Sequence, residues 1–283
     1  SFNSTIENIE TTIDTSSWTN GRYTIFVESK DAAGNWGYVS AVFVDVIDPN
    51  VAPHITGYVY DATSGDPLQA TITTGGYQTT SDPVTGFYEM VVLSGTYDIT
   101  ASAENYVPVT VTGVVAEDNQ TVEQDFYLSP LCDAFFDDVE SGNLGWTAQS
   151  PWAITDESSN SPSHSWTDSP GGNYGNNKNI SLTSQSFDLT DWENLALRFW
   201  HTYETQATYD NAIVEYSTDN GSTWTEIVRY SGIMETWTEV ELDLTALDGI
   251  ATAMIRFRLS TNNYLYNDGW HIDDIELFGS SPY

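Results

Sequence analysis

The run "LALRFWHTYE", Leu195–Glu204, alternates apolar and polar side chains residue by residue, and the same period of two recurs along most of this chain. It governs "RYTIFVES" (Arg22–Ser29) and "YVSAVFVDV" (Tyr38–Val46) as well. Residues two apart share one face of a strand, whereas a helix face needs spacings of three and four. No apolar stripe with the helical period runs beyond two turns. The pattern therefore predicts an all-β chain. With 283 residues the chain is long enough for two or three domains, each with its own core.

Between the two early runs lies "KDAAGNWG", Lys30–Gly37, in which Asp31, Gly34 and Asn35 supply turn chemistry. The three pieces make a hairpin, and an isolated hairpin is marginal in water. Further strand-like runs are expected around Ile6–Ile13 and, overlapping it, Thr11–Thr15. The chain opens in mid-pattern at "SFNSTIENIE", which is expected of a piece of a longer precursor.

Charge narrows the partners. Seven Lys and Arg stand against 41 Asp and Glu, a formal net charge of −34. Nucleic acid is excluded as a partner, because such binding depends on cationic side chains neutralising phosphates. Binding to an anionic membrane surface is disfavoured on the same ground, and the sequence holds no apolar run of about 18 residues. Bound cations would relieve the self-repulsion of so acidic a surface, although a solvated acidic face in an extracellular medium accounts for most of the charge equally well. Cys132 is the single cysteine, so no intrachain disulfide forms.

Two breaks divide the chain. "IDPNVAPH" (Ile47–His54) and "YLSPLCDA" (Tyr127–Ala134) interrupt the strand pattern with Pro, Asp and Asn. The segments are 1–51, 52–130 and 131–283, and the middle one contains no Lys or Arg.

Each segment resembles a known family. In the first, "GRYTIFVESKDAAGNW" is similar to the last strands of immunoglobulin-like domains in secreted bacterial hydrolases. Such sandwiches need about seven strands, so the resemblance implies an incomplete domain. In the second, "GYVYDATSGDPLQAT" and "TSDPVTGFYEMVVLSGTYDITASAENY" resemble the carboxypeptidase regulatory-like domain, a transthyretin-like β-sandwich without catalysis. Gly86 and Gly95 mark its turns. In the third, "FFDDVESGNLGWT", "SWTDSPGGNYGNN", "DNAIVEYSTDNGSTWTEI" and "DGWHIDDIELFG" resemble MAM-like jelly rolls of secreted bacterial peptidases. The order of the three resembles the C-terminal, non-catalytic region of secreted bacterial zinc carboxypeptidases. The resemblance implies an extracellular or cell-surface protein.

Catalytic chemistry is sought and rejected. His201-x-x-Glu204, with His271 as a third ligand, would suit zinc. On a strand, however, His201 falls on the face of Leu195, Leu197 and Phe199, and Glu204 on the other, so the two cannot share an ion. "STDNGSTW", Ser217–Trp224, matches a single Asp-box and is read as a hairpin turn closed by Asp219 and Asn220-Gly221, with Trp224 beneath. No nucleophile-elbow, P-loop or dinucleotide-binding pattern occurs. The chain is expected not to be an enzyme.

Calcium is the expected cofactor. Hard cations need several oxygen ligands, and the jelly-roll resemblance implies ligands near the first and last strands. These positions hold Asp138 and Glu140 of "FDDVESG" and Asp273 and Asp274 of "HIDDIEL". Asp168, in the glycine-rich "TDSPGGNY", joins them as a candidate; unpaired surface acid is the alternative for all five. Eight of the ten tryptophans lie in the third segment, where they pack in the core or stack on sugar rings. Carbohydrate is thus one expected partner. A second copy is the other: the incomplete immunoglobulin-like segment invites strand addition from a neighbouring chain, giving a homo-oligomer or filament. The expected function is a secreted interaction and self-assembly protein, with an accessory, carbohydrate- or surface-binding peptidase region as the alternative.

Overall fold

The computed structural model describes residues 11–31 and 33–281, and these are almost wholly β-structure. The helical element among them is one 3-10 turn, Thr245–Leu247. The chain divides into two compact units, Ser1–Leu128 and Ser129–Tyr283.

The first unit opens with a hairpin of β1 (Gly21–Val27) and β2 (Ser40–Val46), paired antiparallel from Gly21↔Val46 to Val27↔Ser40. Its loop closes where Asp31 Oδ1 accepts from the backbone N–H groups of Ala33 and Asn35, at 2.9 and 2.8 Å. Among the described residues β1 and β2 pair only with each other. Phe26, Val27, Val42 and Phe43 are exposed on this hairpin, whereas Ile25 and Val44 are half-buried. The strand expected over Thr11–Thr15 does not form. Those residues are irregular and mostly exposed, because no neighbouring strand takes up their backbone groups. Ile6–Glu10, the rest of the other expected run, lies outside the described residues.

Eight further strands build a sandwich. They are β3 (His54–Asp61), β4 (Thr71–Thr74), β5 (Tyr77–Thr80), β6 (Phe87–Val91), β7 (Gly95–Ser102), β8 (Val109–Ala116), β9 (Thr121–Glu123) and β10 (Phe126–Leu128). β3 lies at the centre of one sheet, antiparallel to β6 and parallel to both β9 and β10; β5-β4-β7-β8 make the other. Ile55, Val59, Tyr88 and Phe126 from the first sheet meet Ile72, Ile99 and Ala101 from the second in one buried cluster. Gly86 turns the chain into β6 at φ 74°, and a Cβ there would lie 2.5 Å from the Val59 carbonyl oxygen, so only glycine fits.

The second unit is a larger sandwich. Its strands are β11 (Cys132–Asp137), β12 (Thr147–Ala148), β13 (Ala153–Thr155), β14 (Ser165–Thr167), β15 (Asn179–Thr183), β16 (Glu193–Glu204), β17 (Asn211–Ser217), β18 (Thr225–Tyr230), β19 (Ile233–Asp243), β20 (Met254–Ser260) and β21 (Gly269–Ser280). One sheet runs β13-β14-β21-β16-β19, with β11 also on β21; the other runs β12-β15-β20-β17-β18. Alternation along β16 sends Leu195, Leu197, Phe199 and His201 inward, each at most 1% exposed. They meet Val214, Ile255 and Phe257 of the facing sheet. Phe257 is the hub, its ring centroid 5.2 Å from Phe199, 5.5 Å from Trp270 and 5.9 Å from Trp146. Each such ring removed from water contributes about 1.5–3 kcal/mol.

Candidate functional site

Sequence placed five carboxylates together, and the fold separates them into a group of four and one apart. The four gather around the loop 156–164. Asp273, fully buried on β21, accepts from the backbone N–H groups of Asn160 and Ser161 through Oδ2, at 2.8 and 3.0 Å. Asp274 takes the Asn160 side-chain amide at 2.8 Å and sits at φ 48°. A register shift between Arg198 and Trp200 places it in a bulge, which re-aims its side chain. Glu140 accepts from the backbone N–H groups of Ser163 and His164 and from the Ser163 hydroxyl. Asp138 contributes its carbonyl oxygen to the Ser161 hydroxyl at 3.2 Å.

The electrostatics follow from these partners. Hydrogen bonds from Ser163 and His164 hold the Glu140 carboxyl down to about 2. Burial pushes Asp273 up to about 6 against the loop N–H groups that favour its charged form. Three carboxylates, with the Asp138 carbonyl, clamp the loop to the sheet.

Asp168 lies elsewhere, at the start of the glycine-rich loop after β14. It is fully buried, and Oδ2 accepts from the Trp270 backbone N–H at 3.1 Å, three residues along β21 from Asp273. Oδ1 has no hydrogen-bond partner. Burial pushes its carboxyl up to about 8. Gly269 passes directly against it at φ 101°, where any Cβ would collide with Asp168 Oδ1. Among the described residues no three His, Cys, Asp or Glu side chains converge as metal ligands.

His201 and Glu204 are likewise parted. His201 is wholly enclosed between Phe199, Tyr203, Tyr230 and Trp270, while Glu204 is exposed at the end of β16. The Asp-box run closes the β17–β18 hairpin: Asp219 accepts from the Thr223 backbone N–H and from the hydroxyls of Thr223 and Ser217. Asn220 and Gly221 both take positive φ, and the Trp224 indole donates to the Gly221 carbonyl. Of the eight tryptophans in this unit, Trp146, Trp152, Trp166 and Trp270 are buried, and Trp192, Trp200, Trp224 and Trp237 are half-buried.

A concavity does exist on the outer face of the larger sheet. A cleft of about 190 Å³ is bordered by Thr202, Tyr203 and Glu204 of β16, Met234 and Glu235 of β19, Asp268, Gly269 and His271 at β21, and Ser158 of the clamped loop. His271 holds Asp268 through Nε2 at 3.3 Å, and its Nδ1 lies 3.4 Å from the Ser165 hydroxyl. Trp237 donates to the Ser158 hydroxyl at 3.2 Å and so braces the loop wall. Sequence reasoning weighed His271 and Glu204 only as zinc ligands, rejected that role, and overlooked Ser158, Glu235 and Asp268. The Ser- and Asn-rich "DESSNSPSH" between two strands was the available signal that a loop stands there.

No family model matches the chain. It is 30% identical over 112 residues to bacillopeptidase F of Bacillus subtilis, a match covering 39% of this chain and 8% of that protein. It is 34% identical over 88 residues to human carboxypeptidase D, covering 30% of this chain and 6% of that one. The chain thus spans under a tenth of either relative. Among solved structures it resembles the K1 cleaved adhesin domain of Lys-gingipain from Porphyromonas gingivalis, at 15% identity and a TM-score of 0.38, over 50% of this chain and 96% of that domain. It also resembles the C-terminal family 22 carbohydrate-binding module of Clostridium thermocellum Xyn10B, at 12% identity and a TM-score of 0.38, over 53% and 94%.

Proposed function

We propose that this chain is a non-catalytic binding region of an exported, peptidase-like protein, and that its second unit grips polysaccharide in the cleft between Ser158, Glu204, Glu235 and Asp268. The cleft carries this reading. Its hydroxyls and carboxylates offer paired hydrogen-bond partners for sugar hydroxyls, and Tyr203 and Met234 supply apolar surface for the ring's C–H face. Partial similarity to two peptidases supports an accessory place beside a catalytic domain, and an extracellular setting with it. Calcium belongs to the proposal as a stabiliser of the second unit. A screen of the intact chain against immobilised neutral and acidic polysaccharides tests the reading; retention on none of them ends it.

A second reading rests on the hairpin. β1 and β2 expose Phe26, Val42 and Phe43 and leave edge backbone groups unpaired among the described residues. Strand addition from a second copy would complete this sheet and yield oligomers. Light scattering on the intact chain and on one lacking residues 1–50 decides it: oligomers seen only with the intact chain support self-assembly, and a monomeric intact chain rules it out.

A further inference from the structure

The outer face of the sheet built on β3 carries four aromatic rings in one row. Register sets Tyr58 opposite Phe87 of β6 and Tyr60 opposite Tyr127 of β10, and alternation along β3 turns Tyr58 and Tyr60 away from the core. Ring centroids lie 5.5 Å apart from Phe87 to Tyr58, 5.9 Å from Tyr58 to Tyr60 and 5.6 Å from Tyr60 to Tyr127. Phe87, Tyr58 and Tyr127 are 39%, 41% and 58% exposed, and Tyr60 is half-buried. Single exposed apolar side chains are ordinary, but a contiguous row of them marks an interaction surface.

Carboxylates border the row. Two residues before Tyr58, on the same face of β3, Thr56 pairs with Glu89 on one side and Glu123 on the other. Asp125 stands between β9 and β10, where its Oδ1 accepts from the Tyr58 backbone N–H at 2.8 Å. Desolvation, and then the Asp125 charge, push the Tyr60 hydroxyl above its usual range. Residues 52–130 hold no Lys or Arg, and their one histidine, His54, has Nδ1 2.6 Å from Glu89 Oε1. Glu123 and Asp125 have no ion-pair partner among the described residues.

Elsewhere the chain's own cations stack on its aromatic rings. Arg22 lies over Phe43, Lys30 over Trp36, Arg198 over Phe278 and Arg256 over Trp224, at 5.9, 5.0, 4.4 and 4.1 Å. The row on β3 offers ring faces in a negative field, the setting that attracts a cation, and its own segment supplies none. A neutral sugar would stack on the rings and leave Glu123 and Asp125 unused. A second copy is a poor occupant, since it brings seven basic side chains in 283 residues and four of them already lie over rings.

We infer that the outer face of β10-β3-β6 is a docking surface for a basic polypeptide segment, whose Arg and Lys side chains lie over Phe87, Tyr58, Tyr60 and Tyr127 and pair at the rim with Glu123 and Asp125. Alternate side chains of an extended peptide stand ~6.7 Å apart, near enough to the ring spacing for successive cations to meet successive rings. This surface belongs to the first unit and shares no residue with the cleft of the second.

A fluorescently labelled synthetic peptide of alternating arginine and glycine is the probe, with binding to the intact chain read by anisotropy at physiological salt, which screens exposed charges beyond about 8 Å. Saturable binding is expected. Tyr58→Thr/Tyr127→Thr removes two rings, leaves the net charge unchanged and keeps strand-forming side chains; it should weaken binding roughly tenfold. Attraction to the acidic surface at large would leave the affinity of that variant unchanged, and this result overturns the assignment, as does an unaltered chain that does not bind the peptide. If the double variant lacks a melting transition, Tyr127→Thr alone decides: weaker binding supports the row, and equal binding overturns it. Retardation by a polysaccharide gel that Tyr58→Thr/Tyr127→Thr abolishes would make the row a sugar platform and overturn the basic partner.

Discussion

The indole N–H of Trp270 donates to Nδ1 of His201 at 3.2 Å, deep in the core of the second unit. That bond fixes the tautomer: Nδ1 accepts, so the proton of neutral His201 sits on Nε2, which has no partner. Burial alone pulls the imidazole down to about 4. Between about 6.5 and 4 the unfolded chain binds a proton that the folded chain refuses. Stability from this residue is therefore complete above the unfolded pKa and falls as pH drops through that window, by up to roughly 3 kcal/mol. Asp273, raised to about 6, acts in the opposite sense, so the readout is a difference between variants. His201→Asn keeps an acceptor for Trp270 and does not titrate. Its stability relative to the unaltered chain should rise as pH falls from 6.5 to 4; a constant difference contradicts the account.

Leu197 is fully buried on β16 and belongs to the core cluster shared with the facing sheet. Leu197→Ala should cost about 2–5 kcal/mol, from lost transfer energy and the cavity left behind. Denaturant titration of the second unit measures it. A loss below about 1 kcal/mol would mean that the two sheets do not share this core.

Tyr77 donates to Asp45 Oδ2 at 2.8 Å, and the same carboxylate is held by Arg22. This contact ties the hairpin to the sandwich within the first unit. Tyr77→Phe removes the hydroxyl alone and should cost about 1 kcal/mol locally. Faster proteolysis within 21–46, with the 54–128 strands as resistant as before, is the expected outcome. Unchanged cleavage would show that the bond holds nothing.

Much of this was legible in the chain. Period-two alternation located β16, because its Leu195, Leu197, Phe199 and His201 share one buried face and the side-chain period is fixed by the pleat. Alternation also parted His201 from Glu204 before any coordinates. It failed at Thr11–Thr15, where apolar spacing occurs without a partner strand, since pairing is a tertiary event. The carboxylates were harder. Asp138, Glu140, Asp273 and Asp274 converge because β11 pairs with β21, but what they meet is the loop 156–164, more than a hundred residues before Asp273 in the chain. Asp168 looked equivalent in sequence, and only the β14–β21 register sets it beside Trp270 instead. Loop-to-strand contacts of that kind leave no periodic trace.

Affinity electrophoresis through gels containing soluble polysaccharides tests the central claim most directly. The account predicts that at least one polysaccharide retards the intact chain. A Glu204→Gln/Glu235→Gln variant with unchanged melting should run free, because both side chains border the cleft and neither supports the core. Free migration of the intact chain in every gel, or retardation that the double variant leaves untouched, would contradict it.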